Sequence, residues 1–161
     1  MTETLAQEVL RLAVEAGASV TTAESCTGGM VAAAITDCAG SSAVFERGFV
    51  TYSNAAKTEM LGVRPATLEA HGAVSEEVVL EMALGARGAA GATLAVSISG
   101  IAGPGGSERK PEGRVCFGLA TPHAVQTKTV EFGASGRAQV RAAARDEALR
   151  LLIAALKDGQ V

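Results

Sequence analysis

Two short stretches of the chain carry residues able to open an amide or ester bond. In the first, Glu24-Ser25-Cys26-Thr27-Gly28-Gly29, a serine follows the small, β-branched run Ser19 to Ala23 and precedes a helix-like run from Met30 to Thr36. Where a buried strand turns into a helix, backbone N–H groups converge unpaired, so amides from Cys26 to Gly28 can hold an anion or a developing oxyanion. The same position also suits a serine that only caps the next helix, with Gly28 and Gly29 making the turn. The second stretch, Tyr52-Ser53-Asn54-Ala55-Ala56-Lys57, is otherwise uncharged and ends on a lysine.

Serine attacks poorly at neutral pH unless a base takes its proton. His71 and His123 sit in turn-like segments with no accompanying motif, which gives little support to a Ser-His-Asp triad. Lys57 can do the same work if desolvation lowers its pKa toward neutrality, although a lone lysine more often stays solvated. Tyr52, the only tyrosine, precedes a helix start and can relay a proton, orient a substrate or simply pack. Cys26 is the rival nucleophile, because a helix N-terminus lowers a thiol pKa; the alternative is a small buried filler.

Two features could hold a phosphate. The loop from Gly100 to Gly113 is rich in glycine and proline and exposes backbone amides around Gly100 and Gly103, but it is neither GxGxxG nor GxxxxGK[ST]. Arg137 and Arg141 lie one turn apart at the start of the last helical run, so both guanidinium groups can reach one anion, or form an ordinary solvated face.

The elements that must position these groups follow from periodicity. Leu5, Val9, Leu12 and Ala16 predict a first helix capped by Thr2 or Thr4 and stopped by Gly17; a strand over residues 19–23, the Ser25 turn and the Met30–Thr36 helix come next. A strand is expected within Val44 to Ser53, then a short helix capped by Asn54, a connecting segment between Pro65 and Gly72, and a longer helix opened by Ser75 and ending near Ala90. Thr93 to Ser99, Arg114 to Thr121 and Gln126 to Phe132 read as strands, the last two as an adjacent pair, and Arg137 to Leu156 as the final helix. The expected fold is α/β: a three-layer α/β/α sandwich with a mixed β-sheet in a single domain.

Composition narrows the function classes. The 161 residues are 48% hydrophobic and 19% charged, with no apolar run approaching the ~20 residues that span a bilayer. An acidic N-terminus and three cysteines without a CxxC pair indicate a cytoplasmic protein with neither a disulfide framework nor a zinc site. A net charge of −3, four Phe, one Tyr and no Trp argue against a nucleic-acid surface. The alanine-rich helix from Val78 to Ala90 leaves room for a homodimer or higher homo-oligomer face.

Four ordered blocks, Thr22 to Gly29, Gly48 to Lys57, Gly72 to Ser75 and Ser99 to Pro104, together resemble the CinA C-terminal-domain family, whose stand-alone members are nicotinamide-nucleotide amidohydrolases of the PncC type. The resemblance spans essentially the whole chain. It implies deamidation of nicotinamide mononucleotide to nicotinate mononucleotide and ammonia, with Ser25 and Lys57 matching the family serine and lysine, and with no metal or organic cofactor. Longer members carry a separate N-terminal nucleotide-processing domain; the chain starts at the first helix of the amidohydrolase unit, so that domain's pyrophosphatase activity is not expected. Two departures stand in the loop: Gly103-Pro104-Gly105-Gly106-Ser107 is one residue shorter than the family pattern, and Glu112 replaces the usual apolar residue after Lys110-Pro111. A domain that binds a phosphorylated nucleotide without turning it over is the non-enzymatic alternative.

Overall fold

The computed structural model describes residues 2–161. Helix α1 (Leu5–Ala16) begins with a reciprocal cap, in which the Thr4 side chain accepts from the Gln7 N–H while Gln7 accepts from the Thr4 N–H; it ends on Gly17 in the left-handed conformation. Strand β1 (Val20–Glu24) leads through the serine turn into α2 (Met30–Thr36). Strand β2 is only Phe49–Val50, much shorter than the expected strand, because Phe45 makes a single bridge to Val20 and the chain then bends away before rejoining β1. The next helix, α3 (Asn54–Leu61), is capped by Ser53, whose hydroxyl accepts from the Ala56 N–H at 3.0 Å, and not by Asn54. The segment expected to be a plain connection is helical: α4 (Pro65–His71) starts with proline, and Glu81 accepts from the Arg64 N–H and the Thr67 hydroxyl to cap it from outside. A tertiary cap of this kind leaves no local pattern.

Helix α5 (Glu76–Ala90) has Ser75 as its cap, and strands β3 (Leu94–Gly100), β4 (Arg114–Ala120) and β5 (Val125–Glu131) precede the closing helix α6 (Arg137–Lys157). The five strands form one sheet in the order β2-β1-β3-β4-β5. β1 runs parallel to β2 and β3, and β4 and β5 join antiparallel, so the sheet is mixed as expected.

Alternation along β3 separates two cores. Leu94, Val96 and Ile98 face α1, α2 and α6, with Phe117 and Leu119 of β4 beside them. The opposite face is small: Ala23, Ala95, Cys116 and Ala120 meet Val78, Val79, Met82, Ala83 and Ala86 of α5. Small residues let the helix backbone approach closely, and Ser97 donates its hydroxyl to the Val79 carbonyl at 2.6 Å. The apolar stripe of α5 is therefore covered by the sheet, and Leu84 is its one large apolar side chain left exposed. No described helix is long and apolar enough to cross a membrane.

The parallel strands β1, β2 and β3 bring their C-terminal ends to one edge. The chain crosses from β1 to β2 on one side and then to β3 on the other, which opens a crevice beyond the end of β1. Ser25 follows β1, Thr51 and Tyr52 follow β2, and Gly100 ends β3. Helix α3, which carries Lys57, is held against α5 where Gly85 lies under the Leu61 carbonyl; any Cβ at Gly85 would collide with that oxygen. Gly85→Ala should consequently lose about 1–3 kcal/mol of stability, whereas Gly88→Ala, with open space around it on the same helix, should gain roughly 0.5–1 kcal/mol. Urea unfolding of the two variants beside the parent checks both signs.

Candidate active site

Lys57 is the largest fully buried side chain of the described residues, at 1% exposure. Its side-chain nitrogen lies 3.0 Å from the Ser25 Oγ, 2.9 Å from the Thr51 carbonyl oxygen and 3.4 Å from that of Tyr52. No carboxylate pairs with it, and burial pushes its pKa below the ordinary lysine value, against smaller opposing pulls from Cys26 and Glu108.

Ser25 is fixed by its own backbone, whose N–H donates to the Ile98 carbonyl at 2.9 Å. The turn beyond it is built by groups behind the site. Glu24, fully buried, accepts from the Thr27 hydroxyl at 2.7 Å and from the N–H groups of Val31 and Ala32 at 2.9 and 3.0 Å, satisfying the start of α2 and tying the turn to it. Arg141 donates from Nε to the Cys26 carbonyl at 2.9 Å and from Nη2 to that of Thr27 at 3.3 Å. A trans peptide sets C=O and N–H in opposite directions. The Cys26 carbonyl faces Arg141, so the Thr27 N–H points away from it. Gly28 donates to the Ser25 carbonyl, while the N–H groups of Cys26 and Thr27 donate to no described residue.

A pocket of about 400 Å³ opens over Ser25 and Lys57. Of the residues singled out in the sequence, Ser25, Cys26, Tyr52, Lys57, Gly100, Gly103 and Arg137 line it. The side chains of Thr27 and Arg141 are not part of the lining and brace the turn, in which Gly28 and Gly29 take positive φ of 57° and 105°. Arg137 is exposed and bridges the pocket rim, donating to the Gly103 carbonyl at 2.6 Å and to the Tyr52 hydroxyl at 3.0 Å. Tyr52 itself is 61% exposed, so it packs in no core. Gly100 is required by close packing on β4, where a Cβ would press on Val115 and the Arg114 carbonyl. Glu112, the departure noted in the loop, accepts from the Gly105 N–H and closes the loop on itself. His71 and His123 lie outside the pocket lining.

Sequence reading missed Glu24, Asn54, Ser99 and Glu108. Because Ser53 makes the α3 cap expected of Asn54, Asn54 is free to line the pocket. Ser99 and Glu108 line the same pocket, reached through β3 and the loop. Glu24 had one available cue, a carboxylate at the end of a buried strand just before a helix start. Among the described residues no group of His, Cys, Asp and Glu stands close enough to hold a metal ion.

Burial pushes the Cys26 thiol up to about 11, opposed by its own backbone N–H, by Arg141 and by Lys57, with Glu24 adding to the rise. Iodoacetamide at pH 7.5 should leave Cys26 unlabelled in the folded protein, as peptide mass mapping would reveal. Glu24→Ala leaves the Thr27 hydroxyl and two buried N–H groups without an acceptor and should reduce the unfolding free energy by about 2–4 kcal/mol, with Glu24→Gln losing roughly half as much in the same urea titration.

The family model for the CinA C-terminal domain matches residues 2–156. The nicotinamide-nucleotide amidohydrolase PncC of Escherichia coli strain K12 is 58% identical over 149 residues, covering 92% of this chain and 90% of that protein. PncC of Enterobacter agglomerans is 67% identical over 117 residues, 68% of this chain and 71% of that protein. Among solved structures, the competence/damage inducible protein CihA from Agrobacterium tumefaciens matches with a TM-score of 0.92 at 46% identity, covering 96% of this chain and 94% of that one. A CinA superfamily protein from Klebsiella pneumoniae 700603 matches with the same TM-score at 40% identity over 96% of each chain. Family model, sequence identity and fold agree, and the chain belongs to the CinA C-terminal domain family.

Proposed function

We propose that the protein is a nicotinamide-nucleotide amidohydrolase, hydrolysing nicotinamide mononucleotide to nicotinate mononucleotide and ammonia in the salvage of pyridine nucleotides. The observation that carries this reading is the buried Lys57 nitrogen 3.0 Å from the Ser25 hydroxyl, in a chain 58% identical to a relative bearing that activity in its name.

A neutral amine has two N–H donors and one lone pair. The carbonyls of Thr51 and Tyr52 take the two donors, which leaves the lone pair for the Ser25 hydroxyl proton. As Lys57 takes that proton, Oγ bonds to the carboxamide carbon and the carbonyl oxygen becomes an oxyanion, held by the Cys26 and Thr27 N–H groups. Collapse expels ammonia, which takes the proton back from Lys57, and leaves an acyl-enzyme on Ser25. Water that Lys57 deprotonates then attacks the acyl carbon, and Ser25 leaves with the proton. The nucleotide phosphate is held by Arg137 at the start of α6, where the helix dipole adds to the guanidinium charge. Arg141, already committed to two carbonyls, braces the oxyanion turn. Tyr52, linked to Arg137, positions the substrate between the two. The chemistry calls on no cofactor. A cytoplasmic location fits a reaction on an internal metabolite, and a homo-oligomer is part of this reading.

Ser25→Ala and Lys57→Ala should each reduce ammonia release from nicotinamide mononucleotide by at least about a thousandfold while circular dichroism stays that of the parent; activity kept by either variant removes the dyad. The base must be neutral, so kcat/KM should climb with pH through the lowered Lys57 pKa and level off above it. The climbing limb should be centred below the ordinary lysine value of 10.5, and a limb centred at that value would count against Lys57 as the base.

A further inference from the structure

We propose that Glu108 sets specificity for a positively charged ring, its carboxylate serving as counter-charge to the pyridinium of a ribosylated nicotinamide; this rests on the amidohydrolase reading above. Of the residues lining the pocket, Glu108 is the sole carboxylate, and the charged groups it shares the pocket with are Lys57 and Arg137. Glu108 also opposes the burial effect on Lys57, which places its charge within electrostatic reach of the reacting groups.

The backbone holds Glu108 in an unusual way. Ser107 and Lys110 exchange hydrogen bonds, the Ser107 N–H reaching the Lys110 carbonyl at 3.0 Å and the reverse bond spanning 2.7 Å. The residues between them, Glu108 and Arg109, have φ of 52° and 64°. Such a turn favours Asn-Gly, and long side chains are strained in it. Lys110 anchors the hairpin to the α4–α5 junction by donating to the carbonyls of His71 at 2.7 Å and Val74 at 2.5 Å. Gly72, in that junction, lacks the Cβ that would collide with the Glu108 carboxylate.

The carboxylate is thus located but not used up. It makes a long ion pair with Lys110, 3.9 Å from the ammonium nitrogen, while its side chain stays 42% exposed and lines the pocket. Arg137 reaches the pocket from α6 by way of Gly103 and Tyr52, while Glu108 reaches it from the hairpin beside Gly72. A ligand with a cationic ring and an anionic phosphate matches that pairing of charges.

The test compares binding of nicotinamide mononucleotide with that of its reduced dihydropyridine form, which keeps the ribose and phosphate but has an uncharged ring. Affinities are measured by calorimetry in a Ser25→Ala background, so no turnover is needed. Glu108→Asn suits the left-handed backbone and removes the charge. It should weaken binding of the cationic nucleotide about tenfold and of the reduced one less than twofold, while Glu108→Asp should recover the cationic nucleotide to within about threefold of the parent. Equal weakening of both nucleotides, as a ribose contact or a change of loop shape would give, overturns the proposal, as does unchanged affinity for the cationic one. If the unmodified protein releases no ammonia yet shows the charge-selective pattern, the amidohydrolase reading fails and the role of Glu108 stands.

Discussion

Everything at the end of β1 depends on one costly arrangement, a buried lysine nitrogen that makes no ion pair with a carboxylate of the described residues. Burial disfavours its charged form, and among the described residues three oxygen atoms, on Ser25, Thr51 and Tyr52, stand within hydrogen-bond distance of it. The site therefore works only if β1 and β2 end together and α3 leaves β2 at a fixed angle. The Thr51 N–H donating to the Glu24 carbonyl at 2.8 Å ties the two strand ends, and the contact between Gly85 and Leu61 fixes α3 on α5.

The two faces of the sheet divide the labour. Bulky residues on one face pack α1, α2 and α6, which sets Arg137 and Arg141 at the start of α6 against the serine turn. Small residues on the other face let α5 sit close, and α5 in turn carries α3 and receives the α4 cap through Glu81. A buried carboxylate and a half-buried guanidinium then hold the turn from behind: Glu24 fastens its side chain and the following helix, and Arg141 its carbonyls. Both are charged groups used as scaffold. The charges that face the pocket, on Lys57, Arg137 and Glu108, come from three different elements.

The sequence by itself determined the layered α/β plan, because alternation along strands and the spacing of apolar residues on helices are local consequences of backbone geometry. It pointed to Ser25 and Lys57 through residue type, an uncharged neighbourhood and four blocks of family resemblance. It could not separate Arg137 from Arg141, since helical spacing puts both on one face, and only the packing of α6 sends one to the Cys26 and Thr27 carbonyls and the other to the pocket rim. Helix α4 and the cap by Ser53 escaped it for the same reason: the groups that decide them, Glu81 and the course of β2, lie elsewhere in the chain. The tertiary structure alone decided that Lys57 is buried, that Glu24 is a scaffold and that Glu108 reaches the pocket, because burial and the meeting of distant side chains are properties of the packed chain and not of any segment of it.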